Sequence, residues 1–141
     1  MHEPLTSKEI EIELNTPGRG FTEITAQIEH WIDQIGAVGG LLTIFIRHTS
    51  ASLTIQENAD PSVLHDLERA LAILAPEDRH YQHAQEGPDD MPAHIKSVLT
   101  STSLSVPIIN QKTALGTWQG IYFCEFDGPR NRRVTIKVLS D

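Results

Sequence analysis

The sequence has few residues that could cross-link the chain by disulfides or anchor it in a membrane. Its 141 residues include one cysteine, Cys124, so an internal disulfide is excluded. No apolar run approaches the roughly 20 residues that a membrane-spanning helix needs, and no signal-peptide pattern is present. We therefore expect a single domain over residues 1–141 that folds in the reducing cytoplasm and has no membrane partner.

Positive charge is also scarce. Eleven lysines and arginines stand against nineteen acidic residues, which gives a net charge of -8. A nucleic-acid-binding protein neutralises phosphates with clustered positive charge, so this balance argues against nucleic acid as a partner. A few arginines can still hold one phosphate group locally, so this charge balance does not exclude a small phosphorylated metabolite as the partner. The candidate cations are Arg19, Arg47, Lys112, Arg130, Arg132 and Arg133.

Hydrophobic periodicity predicts three helices. Apolar side chains recur at helical spacing over residues 21–35, after which Gly36 offers a C-terminal stop. Asp60, followed by proline, is a strong N-cap for a second helix, which Pro76 ends. A third helix is expected near Asp90, whose carboxylate is predicted either to cap that helix or to take part in chemistry.

The remaining apolar residues predict strands. Residues 9–14 alternate acidic and apolar side chains, which is the period of a half-buried strand. Residues 41–46, Leu-Leu-Thr-Ile-Phe-Ile, form a short run of mostly apolar, β-branched and aromatic residues that suits a strand buried on both faces. Further strands are predicted over residues 52–56, 104–109, 120–126 and 133–139. This order of helices and strands is typical of a mixed α+β domain.

The stretch from His83 to His94 holds the densest set of reactive side chains. It combines two imidazoles with three carboxylates, and its glycine and prolines make it too polar and too broken to be core. It also falls within a long connection, residues 76–91, and structureless connections of that length are uncommon unless they are functional. We therefore predict that the chemistry lies in this stretch.

Three histidines stand at the ends of predicted helices or strands, namely His48, His83 and His94. Imidazole is a common ligand of zinc, so these rings are predicted to hold one divalent ion, zinc or magnesium, with a position left for water or substrate. The alternative is that they hydrogen-bond a substrate or the loop backbone. No role is expected for the other four, which are His2, His30, His65 and His80.

Two further stretches are predicted to contact a substrate. After His48, Thr49 and Ser50 offer hydroxyls for phosphate recognition, and Glu57 has no evident structural duty, which makes it a candidate acid, base or metal-orienting group. Glycines flank Trp118, whose indole can stack on a flat ring or else fill a gap at a β-bulge. No Gly-x-Ser-x-Gly pattern supports a serine nucleophile.

These stretches together resemble the YjbQ-like family, often described as secondary thiamine-phosphate synthases. The resemblance covers nearly the whole chain. The matching motifs, in order, are Arg19-Gly-Phe, His48-Thr-Ser-Ala-Ser-Leu-Thr, Glu57-Asn-x-Asp-Pro, Glu86-Gly-x-Asp-Asp and Gly116-Thr-Trp-Gln-Gly. The resemblance implies a compact α+β domain with about three helices, a sandwich-like or barrel-like sheet, and assembly as a homotrimer.

The same resemblance implies a transferase that joins a hydroxymethylpyrimidine diphosphate to a thiazole phosphate with release of pyrophosphate, as a weak or side activity. A metal ion or an arginine pair would then neutralise the leaving group. The catalytic candidates are His48, Glu57, His83 and Asp89. The candidate substrate contacts are Arg19, Thr49, Ser50, Trp118, Gln119 and Arg132. The alternatives are a non-catalytic protein that binds a metal or a phosphorylated metabolite, and a metal-dependent phosphate-ester hydrolase.

Overall fold

The structure is a computed structural model that describes residues 5–141. His2, for which no role is expected, lies outside the described residues. The helices and strands are, in order, β1 (Thr6–Thr16), β2 (Gly20–Glu23), α1 (Thr25–Ile35), β3 (Gly40–Ile46), β4 (Ala51–Glu57), α2 (Pro61–Leu74), α3 (Asp90–Leu99), β5 (Ser103–Ile109), β6 (Lys112–Thr113), β7 (Gln119–Glu125) and β8 (Arg130–Ser140). Within residues 5–141, no helix has the length and apolar character needed to cross a membrane.

The strands form two antiparallel sheets. The five-stranded sheet has the order β1-β8-β3-β5-β6, and the three-stranded sheet has the order β2-β7-β4. Each pairing is antiparallel, which allows neighbouring strands to be joined by short turns or by a helix that crosses one sheet face. The predicted α+β fold with about three helices and a sandwich-like or barrel-like sheet is confirmed, and its sheets are antiparallel and curled.

One large apolar core lies between the two sheets and is closed by α1. Ile28, Trp31 and Ile32 face it from the helix, because residues three and four apart share one helix face. The two sheets contribute alternate residues of their strands, since successive strand side chains point to opposite faces. Those buried strand residues include Leu42, Ile44, Ile46, Leu53, Val106, Ile121, Phe123, Val134 and Ile136.

The strand that is buried on both faces is β7 and not β3. Phe123 faces the core between the sheets, whereas Cys124 packs on the opposite side against Ala93 of α3. The prediction for residues 41–46 is wrong in this respect, because none of the three helices within residues 5–141 covers the outer face of the five-stranded sheet. Leu41 and Phe45 on that face are 43% and 44% exposed. An apolar run therefore marked a strand with one buried face and one apolar, open face.

Two predicted helix boundaries are confirmed and one is wrong. Asp60 caps α2 through a 2.9 Å hydrogen bond that the Ser62 amide donates to its carboxylate, and Gly36 ends α1 in the left-handed conformation. Phe21, however, is not helical. It lies in the four-residue strand β2 and pairs with Cys124. A strand so short has too few residues for its period to be separated from that of the adjoining helix.

Candidate functional site

The centre of the candidate site is Asp90, the first residue of α3. Its Oδ2 atom lies 2.6 Å from His83 Nε2 and 3.2 Å from His94 Nε2. Asp90 and His94 are four positions apart and therefore share a helix face, whereas the loop before α3 returns His83 to the same point. The three ligand atoms lie within 4.8 Å of one another. Two nitrogens and one oxygen thus converge, and we refer to these residues as the His83–Asp90–His94 cluster.

A backbone carbonyl fixes the orientation of His94. The Nδ1 atom lies 2.9 Å from the carbonyl oxygen of Thr49, and because a carbonyl only accepts, Nδ1 carries the proton and donates it. In a neutral ring, Nε2 then points its lone pair at the Asp90 carboxylate. Two acceptors that face each other need a cation between them, either a second proton or a metal ion. In metal-binding histidines, the ring nitrogen that does not bind the metal commonly donates its proton to a carbonyl or carboxylate in the same way.

The electrostatics of the cluster favour a cation. Burial raises the pKa of Asp90, but hydrogen bonds, first among them that from His83, outweigh burial and lower the pKa to about 2. Asp90 is therefore an anion at neutral pH. The hydrogen bond with Asp90 is the main cause that raises the pKa of His83, and Glu86, 3.1 Å from its Nε2, adds to the effect. A metal ion entering this cluster would displace protons from the imidazoles.

His48 lies close to His94 but does not join the cluster. Both histidines line a cavity of about 250 Å³. The Nε2 atom of His48 accepts a 3.1 Å hydrogen bond from the Arg133 amide. Burial, followed by the charge of Arg132, lowers the pKa of His48, which agrees with a neutral ring that accepts. The group that converges with His83 and His94 is therefore the Asp90 carboxylate, whereas the sequence predicts His48 as the third member of this set.

A second cavity, of about 300 Å³, lies under the loop beside His83. Arg79 and His80 line it, and the Tyr81 hydroxyl donates a 2.7 Å hydrogen bond to the Pro76 carbonyl that holds the loop in place. Arginine and imidazole N–H groups are good phosphate donors. His80, for which the sequence predicts no role, thus stands next to the cluster. Its signal in the sequence was its position, adjacent to Arg79 and three residues before His83.

Arg132 and Ser50, two candidate substrate contacts, have partners inside the protein. Arg132 Nε donates to Glu125 Oε1 at 2.7 Å, and its Nη2 donates to the Ser50 hydroxyl at 3.0 Å. The Thr16 hydroxyl donates a further 2.7 Å hydrogen bond to Glu125 Oε1. The Arg132 and Glu125 side chains are only 5% and 1% exposed. Their role in substrate binding stays a prediction, and their contacts are those of a structural pair.

Three further candidates lie far from the histidines. Glu57 pairs with Gln119 at one end of the β4–β7 ladder, whereas Ala51, next to the histidine site, pairs at the other end. At about 3.3 Å per residue, the six steps between these positions of β4 span roughly 20 Å. Trp118 is 63% exposed beside Gln119. A single chain therefore does not bring Glu57, Trp118 and Gln119 to the His83–Asp90–His94 cluster.

The structure separates Asp89, a catalytic candidate, from Asp90, for which the sequence leaves helix capping or chemistry open. Asp89 holds the N-cap position of α3 but makes no capping hydrogen bond with its side chain, whereas Asp90 is in the cluster. The sequence feature that identifies Asp90 is its position four residues before His94 at the start of a predicted helix, which places both side chains on one helix face. Arg19, the remaining candidate, forms an ion pair with Glu77 and lines a third cavity, described below.

The profile of the family described as UPF0047 protein YjbQ-like matches residues 8–141. The chain belongs to this family. The YjbQ-like chain is 50% identical over 128 residues to a UPF0047 protein of Synechocystis sp., a match that covers 89% of this chain and 87% of that protein. It is 44% identical over 113 residues to the UPF0047 protein YjbQ of Escherichia coli O157:H7, with 79% and 82% covered.

Solved structures of relatives share the YjbQ-like fold. An uncharacterized conserved protein of the family from Clostridium acetobutylicum has a TM-score of 0.86 at 42% identity, with 92% of this chain and 98% of that chain covered. A YbjQ-like protein of unknown function from Sulfolobus solfataricus has a TM-score of 0.90 at 23% identity, with 97% and 99% covered, and supports the fold alone. The family resemblance found in the sequence is confirmed.

Proposed function

We propose that this YjbQ-like protein is a zinc-dependent enzyme that acts on a small phosphorylated metabolite. The observation that carries the proposal is the convergence of His83, Asp90 and His94 on one point. Two imidazole nitrogens and one carboxylate oxygen suit zinc, whose catalytic sites keep three protein ligands and one open position. Magnesium prefers oxygen ligands and fits this donor set less well.

Bound zinc would supply a Lewis acid that stabilises negative charge on a phosphoryl oxygen. His83 and His94 would hold it through Nε2 and Asp90 through Oδ2. The Thr49 carbonyl keeps His94 in the tautomer that leaves Nε2 free. His48, with its Nε2 occupied by a backbone amide, keeps its ring at the wall of the adjoining cavity and can contact a substrate there.

The reaction to assay first is the one that the family resemblance implies, formation of thiamine phosphate from its two phosphorylated precursors. The bond from the pyrimidine methylene carbon to the diphosphate oxygen breaks, and a bond from that carbon to the thiazole nitrogen forms. Negative charge therefore accumulates on the departing pyrophosphate. Arg79 and His80 line the cavity beside His83 and would donate hydrogen bonds to this pyrophosphate.

We also propose that the protein assembles as a homotrimer. Leu41, Phe45 and Leu139 expose apolar side chains on the outer face of the five-stranded sheet, where Leu41 and Leu139 are direct neighbours. Contacts in a cyclic trimer are heterologous, so the end of one subunit that carries Glu57 and Trp118 can approach the histidines of the next.

Sedimentation should give a trimer for the wild type and for Gln34→Lys on α1. Phe45→Lys should give monomers, and a trimeric Phe45→Lys would exclude this face as the interface.

Metal analysis tests the zinc site directly. Protein equilibrated with zinc and then desalted should hold one zinc ion per chain, whereas His83→Ala and His94→Ala should hold none. His65→Ala, on the exposed face of α2, is the matched control and should keep the ion. Equal melting temperatures of the zinc-free proteins would separate loss of metal from loss of structure. A wild type that binds no zinc would overturn the proposal.

Turnover then identifies the class of function. Product formation from the thiamine precursors that falls with His83→Ala would support the synthase. Zinc binding together with hydrolysis of p-nitrophenyl phosphate, but no synthase turnover, would favour a phosphate-ester hydrolase instead. Zinc binding without either reaction would favour a binding protein over an enzyme.

A further inference from the structure

A third cavity, of about 160 Å³, lies on the side of α3 that faces away from the histidines. Successive residues of an α-helix are about 100° apart, so Lys96 and His94, two positions apart, differ by about 160° around the axis. Lys96 closes the cavity from α3, and the other walls come from β2, α2 and the residues at the end of β7. We refer to this space as the Lys96 cavity. Most of its side-chain surface is apolar, from Phe21, Leu71, Ala72 and Phe126.

Lys96 is buried in this cavity without a partner. The residue is 7% exposed, and none of the hydrogen bonds or ion pairs found within residues 5–141 involves its ammonium group. Three other charged residues line the cavity, Arg19, Glu68 and Glu125, and two of them have ion-pair partners. Arg19 is paired with Glu77, and Glu125 accepts from Arg132. The carboxylates of Glu77, Glu68 and Asp89 act on this ammonium only from beyond ion-pair distance. An anion in direct contact would therefore offset part of the cost of burying the charge.

We propose that the Lys96 cavity binds a small carboxylate with an apolar body, the carboxylate on the Lys96 ammonium and the body between Phe21, Leu71 and Phe126. Lys96 is the one cation of this lining without an ion pair within residues 5–141, so a ligand with one negative charge suits the cavity. A phosphate dianion suits the cavity less well, because Glu68 also lines it and would repel the second charge. The cavity is separate from the His83–Asp90–His94 cluster, and the proposal does not depend on zinc.

The small number of lysines makes the proposal directly testable. The chain has four, Lys8, Lys96, Lys112 and Lys137, so protein labelled with carbon-13 at the lysine ε-carbon gives one side-chain signal per lysine, four in all. Benzoate, one carboxylate on one ring, is the probe. The signal that disappears in Lys96→Met should shift saturably with benzoate while the other three stay in place. Benzamide, which keeps the ring and loses the charge, should bind at least tenfold more weakly.

Steric variants separate the cavity from the amine. Ala72→Leu fills the cavity from α2 and leaves Lys96 intact, and it should abolish the benzoate shift. Ala70→Leu, on the same helix but outside the cavity lining, is the matched control and should retain it. Addition of EDTA should leave the benzoate affinity unchanged, since the zinc proposal can fail without affecting this one.

Three outcomes would overturn the proposal. The first is a Lys96 signal that does not shift saturably with benzoate in the wild type. The second is tighter binding of phenyl phosphate than of benzoate, which would assign the cavity to phosphate groups. The third is a Lys96 signal that moves in Glu68→Gln but not with benzoate, which would show that an internal ion pair satisfies the amine.

Discussion

Two charged clusters adjoin each other in this molecule and have opposite properties. The Glu125–Arg132 pair is almost fully buried, and the Thr16 and Ser50 hydroxyls complete its hydrogen bonds. In the His83–Asp90–His94 cluster, the carboxylate is 8% exposed but the His83 side chain is 47% exposed. The two clusters meet at consecutive residues, because the Thr49 carbonyl orients His94 and Ser50 contacts Arg132.

The two clusters differ in whether their charged groups are accessible to a ligand. In the buried pair, each charge has a counter-charge and hydrogen bonds from neighbouring side chains, and no open position is left for a ligand. In the His83–Asp90–His94 cluster, two ring nitrogens and a carboxylate oxygen converge at one place that solvent can reach, where a metal ion could replace the protons that now join them. Charged side chains are common to both clusters, so charge alone does not identify a binding site. Ligand atoms that converge where solvent can reach them do.

The largest expected effect is on the buried pair. Arg132→Leu leaves Glu125 as an unpaired buried carboxylate, so the free energy of unfolding should fall by about 3–5 kcal/mol. Arg133→Leu is the matched control, since the Arg133 side chain is 57% exposed and lies 3.6 Å from Glu11 and Glu13. That control should lose no more than about 1 kcal/mol. Urea unfolding measures both, and equal losses would remove the contrast between buried and open charge.

The next effect concerns the open cluster. Zinc at about 100 times its dissociation constant should add roughly 2.7 kcal/mol to the stability of the wild type. Asp90→Asn removes the anionic ligand and should lose this gain, whereas Asp89→Asn, one residue earlier, should keep it. Thermal unfolding with and without zinc gives the comparison. Zinc stabilisation of Asp90→Asn equal to that of the wild type would place the ion elsewhere.

Acid should affect the buried pair in a smaller and graded way. Burial raises the pKa of Glu125, but hydrogen bonds from Arg132 and Thr16 outweigh burial and hold the pKa below its ordinary value of 4.5. A folded-state pKa below the unfolded one stabilises the protein above pH 4.5, and this stability is lost as pH falls through the folded pKa. Unfolding midpoints in urea should therefore fall more steeply below pH 4.5 in the wild type than in Glu125→Gln. Parallel curves would contradict this linkage.

The smallest effect is expected at the far end of the three-stranded sheet. Trp118→Ala removes a side chain that is 63% exposed, so stability should change by no more than about 0.5 kcal/mol. Zinc affinity, measured by competition with a chelating dye, should also stay unchanged, because Trp118 is remote from both clusters within one chain. A marked loss of zinc affinity would instead show that Trp118 of a neighbouring subunit reaches the histidines.

The sequence by itself determined the family and the local structure. The Asp60 cap, the Gly36 stop and the start of α3 were readable because each depends on neighbouring residues along the chain. The same holds for the stretch from His83 to His94, whose density of reactive groups needed no fold to be noticed. Burial of β7 on both faces could not be predicted in this way, because it depends on which helices cover the sheet.

Only the tertiary structure decided which side chains meet. The antiparallel register of β4 with β7 set Glu57 and Gln119, next to Trp118, at the end of the β4–β7 ladder opposite to the histidines. The same long-range packing put Arg132 on a buried glutamate and gave Asp90, and not His48, the place between His83 and His94. The Lys96 cavity likewise exists only where β2, α2 and α3 come together. Contacts between residues far apart in sequence follow from strand register and helix placement, and no local pattern of residues specifies either.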